Sequence, residues 1–529
     1  MHWKRILGIV AIVIVGLLVA IYAILASYDF NKLKPTITKA AKEATGRELT
    51  IGGDIRLKFG FTPALFAENI SFQNAPWGSR PELAKIKRFE IQVALFPLIF
   101  GKVEVKRLIL MEPDILIETE RAGQSNLKFE PAKKEELEKK PSQEKKEEPK
   151  GKLPALLVNE LRIEKGHLVY KDGASGKVYS VLVENLTVSS ASWESPVKLE
   201  LKGSYNSVPI EVGGTLGPLI DLVNPGRAWP LSVNAKAAGA VFKIDGKVQD
   251  PAAFRGLEIN FSGQGKNLEN LQPLIGQPLP VRGPFDISGT VTDPTPKVFK
   301  IINLKVKLGE SDLKGTVELD LSSQRPALSL QGSSDKLDLR PLLPGAGKED
   351  KKDKKEEKSP PPKTGKKEKV FPSDPLLLGA LKAIDAAVKF QAKQVQLSNL
   401  AMNDLDLDMT LREGNFDGKK IKAGISGGTL DGRVNLDARG KTSVMTALMK
   451  LDQLEISRLL KETKSPEILD GKIDIDLDVM GRGDSIASLM GGLNGKMAVV
   501  MGQGKINNKY IEMLGGDLGS SLFRFLNSQ

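Results

Sequence analysis

The chain has 529 residues, contains no Cys and only two His, and carries a net charge of +12 at pH 7. Its length fits three or four domains of ~150 residues each, and the lack of Cys and scarcity of His exclude disulfide scaffolds, thiol catalysis, Cys-based zinc sites and most His-dependent triads. The basic charge is a weak sign of nucleic-acid binding, because half of it lies in two Lys/Glu-rich segments and aromatic residues make up only 5% of the chain.

A segment of 21 uncharged residues lies near the N-terminus, with Ile6 and Ala26 at its ends and Leu17 near its centre. At ~1.5 Å per residue, a helix of this length crosses a ~30 Å hydrocarbon core. We therefore predict a transmembrane helix that acts as an uncleaved signal anchor. The alternative, a cleaved signal peptide, requires small residues one and three positions before the cut, a pattern that fails around Ala26. The short tail before the span predicts a single-pass protein with a cytoplasmic N-terminus and its bulk translocated across the membrane. The lack of Cys agrees with an oxidising exterior such as a periplasm.

An amphipathic helix is predicted directly after this segment. Phe30, Leu33 and Ile37, followed by several Ala, recur at helical spacing. Pro35 lies near the expected start, and Gly46 lies where a helix normally ends.

Beyond this helix, apolar and polar residues alternate with a period of two, which is typical of half-buried strands. The residues assigned to the apolar side are Val103, Val105, Val317, Leu319, Leu321, Leu405, Leu407, Met409, Leu411, Ile473, Ile475, Leu477 and Val479. Glycine-containing pairs such as Gly213-Gly214, Asp245-Gly246 and Asp431-Gly432 are interpreted as turns. The predicted fold is mainly β: an elongated, curled sheet of repeated units, shaped like a groove or taco, with a few short amphipathic helices.

An internal repeat supports this fold. Residues 313–343 align without a gap with residues 430–460, at an offset of 117, and a looser copy begins at Asp245. Each copy is interpreted as a Gly-centred hairpin, a strand, a second strand and a short helical turn. Units that each expose one apolar face must stack or curl to hide it, which predicts an elongated sheet.

Two segments rich in Lys, Glu and Pro divide the chain and are predicted to be disordered, solvated linkers. Attraction of these segments to an anionic membrane is an alternative, although their interleaved acids argue against it. The predicted order is a signal anchor at 1–28, a helix and β module at 29–130, a linker at 131–152, a middle β-repeat module at 153–347, a linker at 348–369 and a C-terminal β-repeat module at 370–529.

The C-terminal module is expected to end in an amphipathic helix. The residues that recur at helical spacing are Ile511, Leu514, Leu518, Leu522 and Phe525. Three Gly in the same segment weaken this prediction. The helix either caps the sheet or contacts a membrane or a partner.

No catalytic or metal-binding constellation emerges from the sequence. The Gly-rich segment 491–496 is followed by Met497, where a phosphate-binding loop requires Ser or Thr. Asp404, Asp406 and Asp408 alternate along a strand at ~6.8 Å spacing, unlike the ~2.4 Å convergence of a Ca²⁺ site, so a solvated strand face is favoured. His167 has no evident ligand partner at metal spacing. We therefore expect no enzymatic activity, no metal and no cofactor.

The aliphatic face of the predicted sheet is the remaining candidate site. Such a face is either sealed into a core or left open as a groove for acyl chains. A core is the more general expectation, but the membrane anchor and the open-ended repeat favour a groove.

Several segments resemble the AsmA family of bacterial envelope proteins. They are the membrane span with its helix, the entry segment 44–55, the stretch 69–78, the strand 105–110, and the late segments 493–496 and 502–506. The resemblance covers nearly the whole chain. It implies an inner-membrane protein linked to outer-membrane biogenesis, with a fold related to chorein-type, bridge-like lipid transfer proteins, and it carries no catalytic motif. The charged insertions depart from the family pattern and bring the continuity of a groove into question.

Two functions follow as hypotheses. The first is a periplasmic protein that binds acyl chains of phospholipid or another lipid in its β groove and supports phospholipid transport. The second is a non-catalytic scaffold or assembly factor that acts on an envelope protein partner and influences the targeting and insertion of outer-membrane proteins. Nucleic acid is not an expected partner. An envelope enzyme is the least favoured reading, since no set of acid, base and nucleophile can be named.

Overall fold

The computed structural model describes residues 27–58, 62–94, 104–129, 158–223, 226–279, 281–342 and 378–506. The predicted membrane segment with Ile6, Leu17 and Ala26 lies outside these ranges, as do Val103, both charged linkers and the predicted C-terminal helix. Within the described ranges, no helix combines the length and the apolar character needed to cross a membrane.

The described residues form 23 strands and only short helices, which confirms the mainly β class. The strands are β1 (Leu49–Ile51), β2 (Ile55–Lys58), β3 (Ala64–Gln73), β4 (Glu82–Val93), β5 (Val105–Glu118), β6 (Val158–Lys171), β7 (Val178–Ser189), β8 (Val197–Tyr205), β9 (Val208–Leu216), β10 (Trp229–Ala237), β11 (Ala240–Asp250), β12 (Arg255–Gly265), β13 (Phe285–Thr295), β14 (Val298–Leu308), β15 (Ser311–Asp320), β16 (Ala327–Asp338), β17 (Asp385–Leu397), β18 (Leu400–Arg412), β19 (Asn415–Ile425), β20 (Gly428–Asp437), β21 (Val444–Glu455), β22 (Leu469–Arg482) and β23 (Asn494–Ile506). The α-helices are α1 (Lys34–Thr45), α2 (Ile220–Val223), α3 (Gln272–Ile275), α4 (Leu378–Ala383), α5 (Ile456–Glu462) and α6 (Ile486–Gly491), and three 3₁₀ turns cover Phe30–Leu33, Leu268–Leu271 and Arg340–Leu342.

Helix α1 confirms the helix predicted after the N-terminal segment. Pro35 lies in its first turn, where a missing N–H costs no helical hydrogen bond. The helix ends at Gly46, which adopts a left-handed conformation with φ of 71° and donates its N–H to the carbonyl of Lys42. Pro35 therefore marks the start of the helix and Gly46 its end, as the sequence predicted.

The described chain divides into two compact units. In the first unit, β1 and β2 both pair with β3, and from β3 to β10 each strand pairs with the next. In the second unit, each strand from β12 to β23 pairs with the next. Nearly all of these pairs are antiparallel, as short connections between neighbouring strands allow.

Two strand pairs are parallel, and each flanks one of the charged segments. β5 pairs with β6 from Val105 opposite Val158 to Glu118 opposite Lys171. β16 pairs with β17 in the same manner, from Ala327 opposite Asp385 onwards. Parallel neighbours need a connection of a dozen residues or more, a length that the charged segments supply. The strand ladder of each unit therefore continues across its insertion.

The repeat has the predicted order of strand, strand and helical turn, but its glycines do not form turns. β15, β16 and a 3₁₀ turn correspond to β20, β21 and α5, and also to β11, β12 and the 3₁₀ turn that follows. Gly246 and Gly315 lie inside strands, where an added Cβ would come within 2.1 Å of the Glu258 carbonyl oxygen and 2.2 Å of the Gln331 carbonyl oxygen. These glycines admit the backbone of the next strand, so their interpretation as turns was wrong. Gly214 and Gly432 likewise lie within strands.

The alternation of apolar residues slips by one position at defined points within the long strands. Asn69, Glu112, Lys165, Asp404 and Gln453 lie in strands but have positive φ values of 51°, 49°, 51°, 50° and 57°. In β18 and β21 the slip coincides with a shift of register, as at a β-bulge. Apolar residues on both sides of the slip thus remain on one face of the sheet.

Candidate functional site

One face of the sheet in the first unit is lined by apolar residues across eight strands. Directly opposed residues of neighbouring strands share a face. The successive partners from β3 to β10 are Leu65, Ile91, Leu108, Leu161, Val188, Leu199, Gly214 and Val233, which we call the first apolar row. Each of them is half-buried. The row includes no charged or polar side chain.

The second unit has an equivalent row across twelve strands. The successive partners from β12 to β23 are Ile259, Val291, Ile301, Val317, Leu330, Val388, Met409, Gly418, Val434, Ala447, Val479 and Gly495, the second apolar row. A neighbouring row from β17 to β23 contains Phe390, Leu407, Ile421, Gly432, Met449, Leu477 and Met497. Together these rows form a continuous apolar face on the described strands of the second unit.

The residues predicted for the apolar face fall into three groups. Val317, Met409 and Val479 lie in the second apolar row, and Leu407 and Leu477 lie in the row beside it. The residues placed opposite other apolar residues are Leu319, Leu405, Leu411, Ile473 and Ile475. Val105 is fully buried, and Leu321 follows the end of β15 with 39% of its surface exposed.

The apolar face is sealed in one region and open in another. Phe390, Ala392, Val395, Leu405 and Ala423 form a buried cluster, against which further apolar residues of β15 to β19 pack. Met449 and Leu477 are only half-buried, and Met497 on β23 is 61% exposed. Leu405 therefore belongs to a packed core, whereas Leu477 lies on a face that solvent or a ligand reaches.

The opposite face of the second unit carries cross-strand ion pairs. Lys422 Nζ lies 2.8 Å from Asp431 Oδ2, and Lys389 Nζ lies 3.8 Å from Asp408 Oδ2. Lys420 pairs with Asp406. The carboxylates of Asp406 and Asp408 thus meet lysines of neighbouring strands, in line with a solvated strand face. The sheet is therefore two-sided, with charge on one face and aliphatic side chains on the other.

His167 has two polar neighbours that sequence reasoning missed. Its Nε2 lies 3.1 Å from Ser180 Oγ, and its Nδ1 lies 3.6 Å from Asp114 Oδ1. The second distance is too long for a hydrogen bond, and Asp114 Oδ2 is already held by Arg80 Nη1 at 2.9 Å. Asp114 lies beside His167 because the parallel pairing of β5 and β6 sets these two residues opposite each other. This geometry orients the imidazole without forming a connected acid–base relay.

A buried polar network lies at the end of β5, in the first unit. Glu118 is 3% exposed and accepts hydrogen bonds at 2.8 Å from the Asn74 side chain and the Ser79 backbone. Asn126, fully buried, donates to Asn74 Oδ1 at 2.9 Å. Burial raises the pKa of Glu118, but the hydrogen bonds from Ser79 and Asn74 and the charge of Lys171 outweigh it, so that the pKa is lowered overall. Asn74 belongs to the 69–78 stretch, which gives that segment a structural role.

The rows and the network contain residues that the sequence analysis did not assign to a site. Leu65, Ile91 and Leu108 were not predicted for the apolar face; Ile91 lies between two polar residues, whereas Leu65 and Leu108 each have an apolar neighbour. The sequence does contain a signal for these strands: two apolar residues spaced three positions apart instead of two, as Ala67 and Ile70 are. This spacing marks a point where the alternation shifts by one residue within a strand, and it does not mark the end of the strand. Within the described part of the chain, no group of three or more His or acidic residues is arranged to hold a metal ion.

Comparison with known proteins agrees with the predicted resemblance. The AsmA family model matches residues 3–277 and 287–525. The chain is also similar to the AsmA family protein YhjG of Escherichia coli (strain K12), with 23% identity over 543 residues that cover 95% of this chain and 78% of the relative. No solved structure matches. The match to the family model extends over both units, and the chain belongs to the AsmA family.

Proposed function

We propose that this protein is anchored in the inner membrane, binds acyl chains on its apolar face in the periplasm, and supports phospholipid transport and outer-membrane biogenesis. Its family suggests a function related to the cell envelope. The observation that carries the finer proposal is the second apolar row, which crosses twelve strands without a charged or polar side chain and is half-buried except at Gly418, Ala447 and Gly495.

The chemistry of the face fits a hydrocarbon chain better than a polar ligand. Burying one methylene group removes it from water at a gain of ~0.8 kcal/mol, so an acyl chain draws its binding free energy from many equal contacts. An aliphatic row supplies such contacts at every strand, so it does not hold an acyl chain at any single position along the row. We therefore propose a face along which chains move, with no catalytic step and no cofactor.

The proposal is tested by crosslinking on the two faces of one strand. Leu477 or Asp478 is replaced, one at a time, by p-benzoyl-phenylalanine in the full chain, and cells are irradiated. Leu477 lies on the apolar face of β22, and Asp478 is exposed on the opposite face. Mass spectrometry of the purified protein should find phospholipid adducts at position 477 and far fewer at position 478. Adducts at neither position, or equal adducts at both, would overturn the proposal.

A scaffold that contacts an envelope protein is a second candidate, favoured by β23. Met497 and Val500 lie on opposite faces of this strand and are each 61% exposed. A strand that is apolar on both faces is typical of one that is covered on both sides. Affinity purification of the full chain, compared with a Val500→Lys variant, tests this candidate. Loss of a stoichiometric partner from the variant, with unchanged lipid adducts at position 477, would support it.

A further inference from the structure

A partly open apolar pocket lies between helix α1 and the first strands of the first unit. It has a volume of about 290 Å³ and is lined by Ile37 of α1, Leu49 and Ile51 of β1, Ile55 of β2, and residues of β3 and β4 that include Leu65 and Phe89. All of its lining side chains are apolar. The volume lies near the lower end of the ~300–1,000 Å³ range of ligand sites, which suits one chain rather than a whole lipid.

Helix α1 covers this pocket without filling it. Leu33, Ile37 and Ala41 share one side of the helical segment and are half-buried, and none of the side chains of α1 is fully buried. A helix packed directly on a sheet would bury this side, because protein interiors leave few voids larger than a water molecule. Ile37 is the helical residue that reaches the pocket.

The pocket continues into the first apolar row. Leu65 lines the pocket and begins that row, and its partner Ile91 leads on to Leu108. On the other side, α1 follows directly after the segment 6–26, for which the sequence predicts a membrane span. A chain held under α1 would therefore lie between the predicted anchor and the first apolar row.

We propose that this pocket binds one acyl chain of a membrane lipid and that Ile37 sets the depth to which the chain enters. The inference rests on the proposed function and deepens it, since it assigns a single-chain site at the start of the apolar face. The lining offers no partner for a phosphate or an amine, so the headgroup stays outside. Filling the space at Ile37 should exclude the chain, whereas shortening Ile37 should admit it more deeply.

The test uses the full chain reconstituted in vesicles of phosphatidylethanolamine and phosphatidylglycerol. A fraction of the phosphatidylethanolamine carries a diazirine near the end of one acyl chain. After irradiation and digestion, adducts are mapped by mass spectrometry. Peptides from β1 to β4 should carry adducts in the unmodified protein. Ile37→Trp should lower these adducts roughly tenfold, a change equal to the loss of a few methylene contacts.

Two matched variants make the result specific. Lys39→Trp adds the same side chain to the opposite, exposed side of α1 and should leave labelling of the pocket unchanged. Ile37→Ala should retain or increase the adducts, and it tests the pocket even if the larger side chain prevents folding. Circular dichroism and thermal unfolding of each variant establish that α1 and the sheet are formed.

The outcomes separate this inference from the function on which it rests. Adducts on the strand that carries Leu477, with none on β1 to β4, would overturn the pocket site and leave the proposed function intact. Equal labelling of the Ile37→Trp and Lys39→Trp proteins would also overturn it. Absence of adducts on every peptide would reject the proposed function and the pocket together.

Discussion

Two regions of the apolar face in the second unit arise from the same sequence pattern but differ in what covers them. The buried cluster contains Val395, which is 1% exposed, and Leu405, which is 9% exposed. On β21 to β23, Met449 and Leu477 are half-buried and Met497 is 61% exposed. Alternation decides which face of a strand is apolar, whereas covering residues from other segments decide whether that face is sealed.

The difference separates stability from ligand binding along one surface. Leu337, Leu339 and Met402 pack against the buried cluster, so that a large part of its apolar area is removed from water on folding. The row at Leu477 keeps part of that area available, and a ligand would gain by covering it. The same type of substitution should therefore affect folding in one region and lipid binding in the other.

The largest effect is expected from a charge in the buried cluster. Leu405→Asp places a carboxylate among apolar side chains without a partner and should destabilise the protein by roughly 3–5 kcal/mol. Leu477→Asp should cost much less, because water reaches the side chain in its half-buried position. Thermal unfolding of both variants, followed by circular dichroism, measures the contrast.

Lipid adducts complete this first test. The Leu477→Asp protein should remain folded and lose phospholipid adducts at a photoreactive residue in place of Met449, its direct partner on β21. Equal losses of stability in the two variants would mean that the face is sealed throughout, and the comparison between a covered and an open region would fail.

A smaller loss of stability is expected when the buried polar network around Glu118 in the first unit is disrupted. Glu118→Ala leaves the Asn74 amide and the Ser79 N–H without their buried acceptor, which should cost ~1–3 kcal/mol. Limited proteolysis with mapping of the cleavage sites reports on this unit separately. Unchanged protection of the first-unit peptides would contradict the structural role given to this network.

In the unmodified protein, low pH should remove the stabilisation that the ionised Glu118 carboxylate provides. The pKa of Glu118 is lower in the folded chain than in the unfolded chain, so its stabilisation is complete above the unfolded pKa of ~4.3 and is lost as pH falls through the folded pKa. The Glu118→Gln protein should be less stable than the unmodified protein at pH 6, and the difference should narrow towards pH 3. Thermal unfolding between pH 3 and pH 6 measures it. A difference that is constant across this range would exclude the ionised carboxylate as the cause.

The sequence predicted the mainly β class and helix α1, and the structure confirms both. These predictions succeed because period-two alternation and helix-end residues act locally. The family resemblance was confirmed over most of the chain. Alternation also places Val317 and Val479 on the apolar face, but their position in the same row depends on the register of the strands between them.

What could not be predicted depends on contacts between distant segments. The glycines at 246 and 315 were interpreted as turns because the close approach of a neighbouring strand leaves no local signal. The parallel pairing that sets Asp114 beside His167 spans a charged segment, and no local residue specifies it. Likewise, Leu405 and Leu477 have the same local pattern, and what distinguishes them is the packing of residues such as Leu337 and Leu339 against the cluster around Leu405.

The smallest effect is expected on the charged face, directly behind the open row. Lys422 and Asp431 form a 2.8 Å ion pair, but their side chains are 48% and 53% exposed, so water and salt screen the attraction. Lys422→Ala should change stability by less than ~0.5 kcal/mol and leave lipid adducts at position 477 unchanged. Thermal unfolding at low and high salt, with crosslinking of the same variant, measures both quantities. A loss of adducts would show that the charged face also contributes to lipid binding, and the two faces of the sheet would then no longer have separate roles.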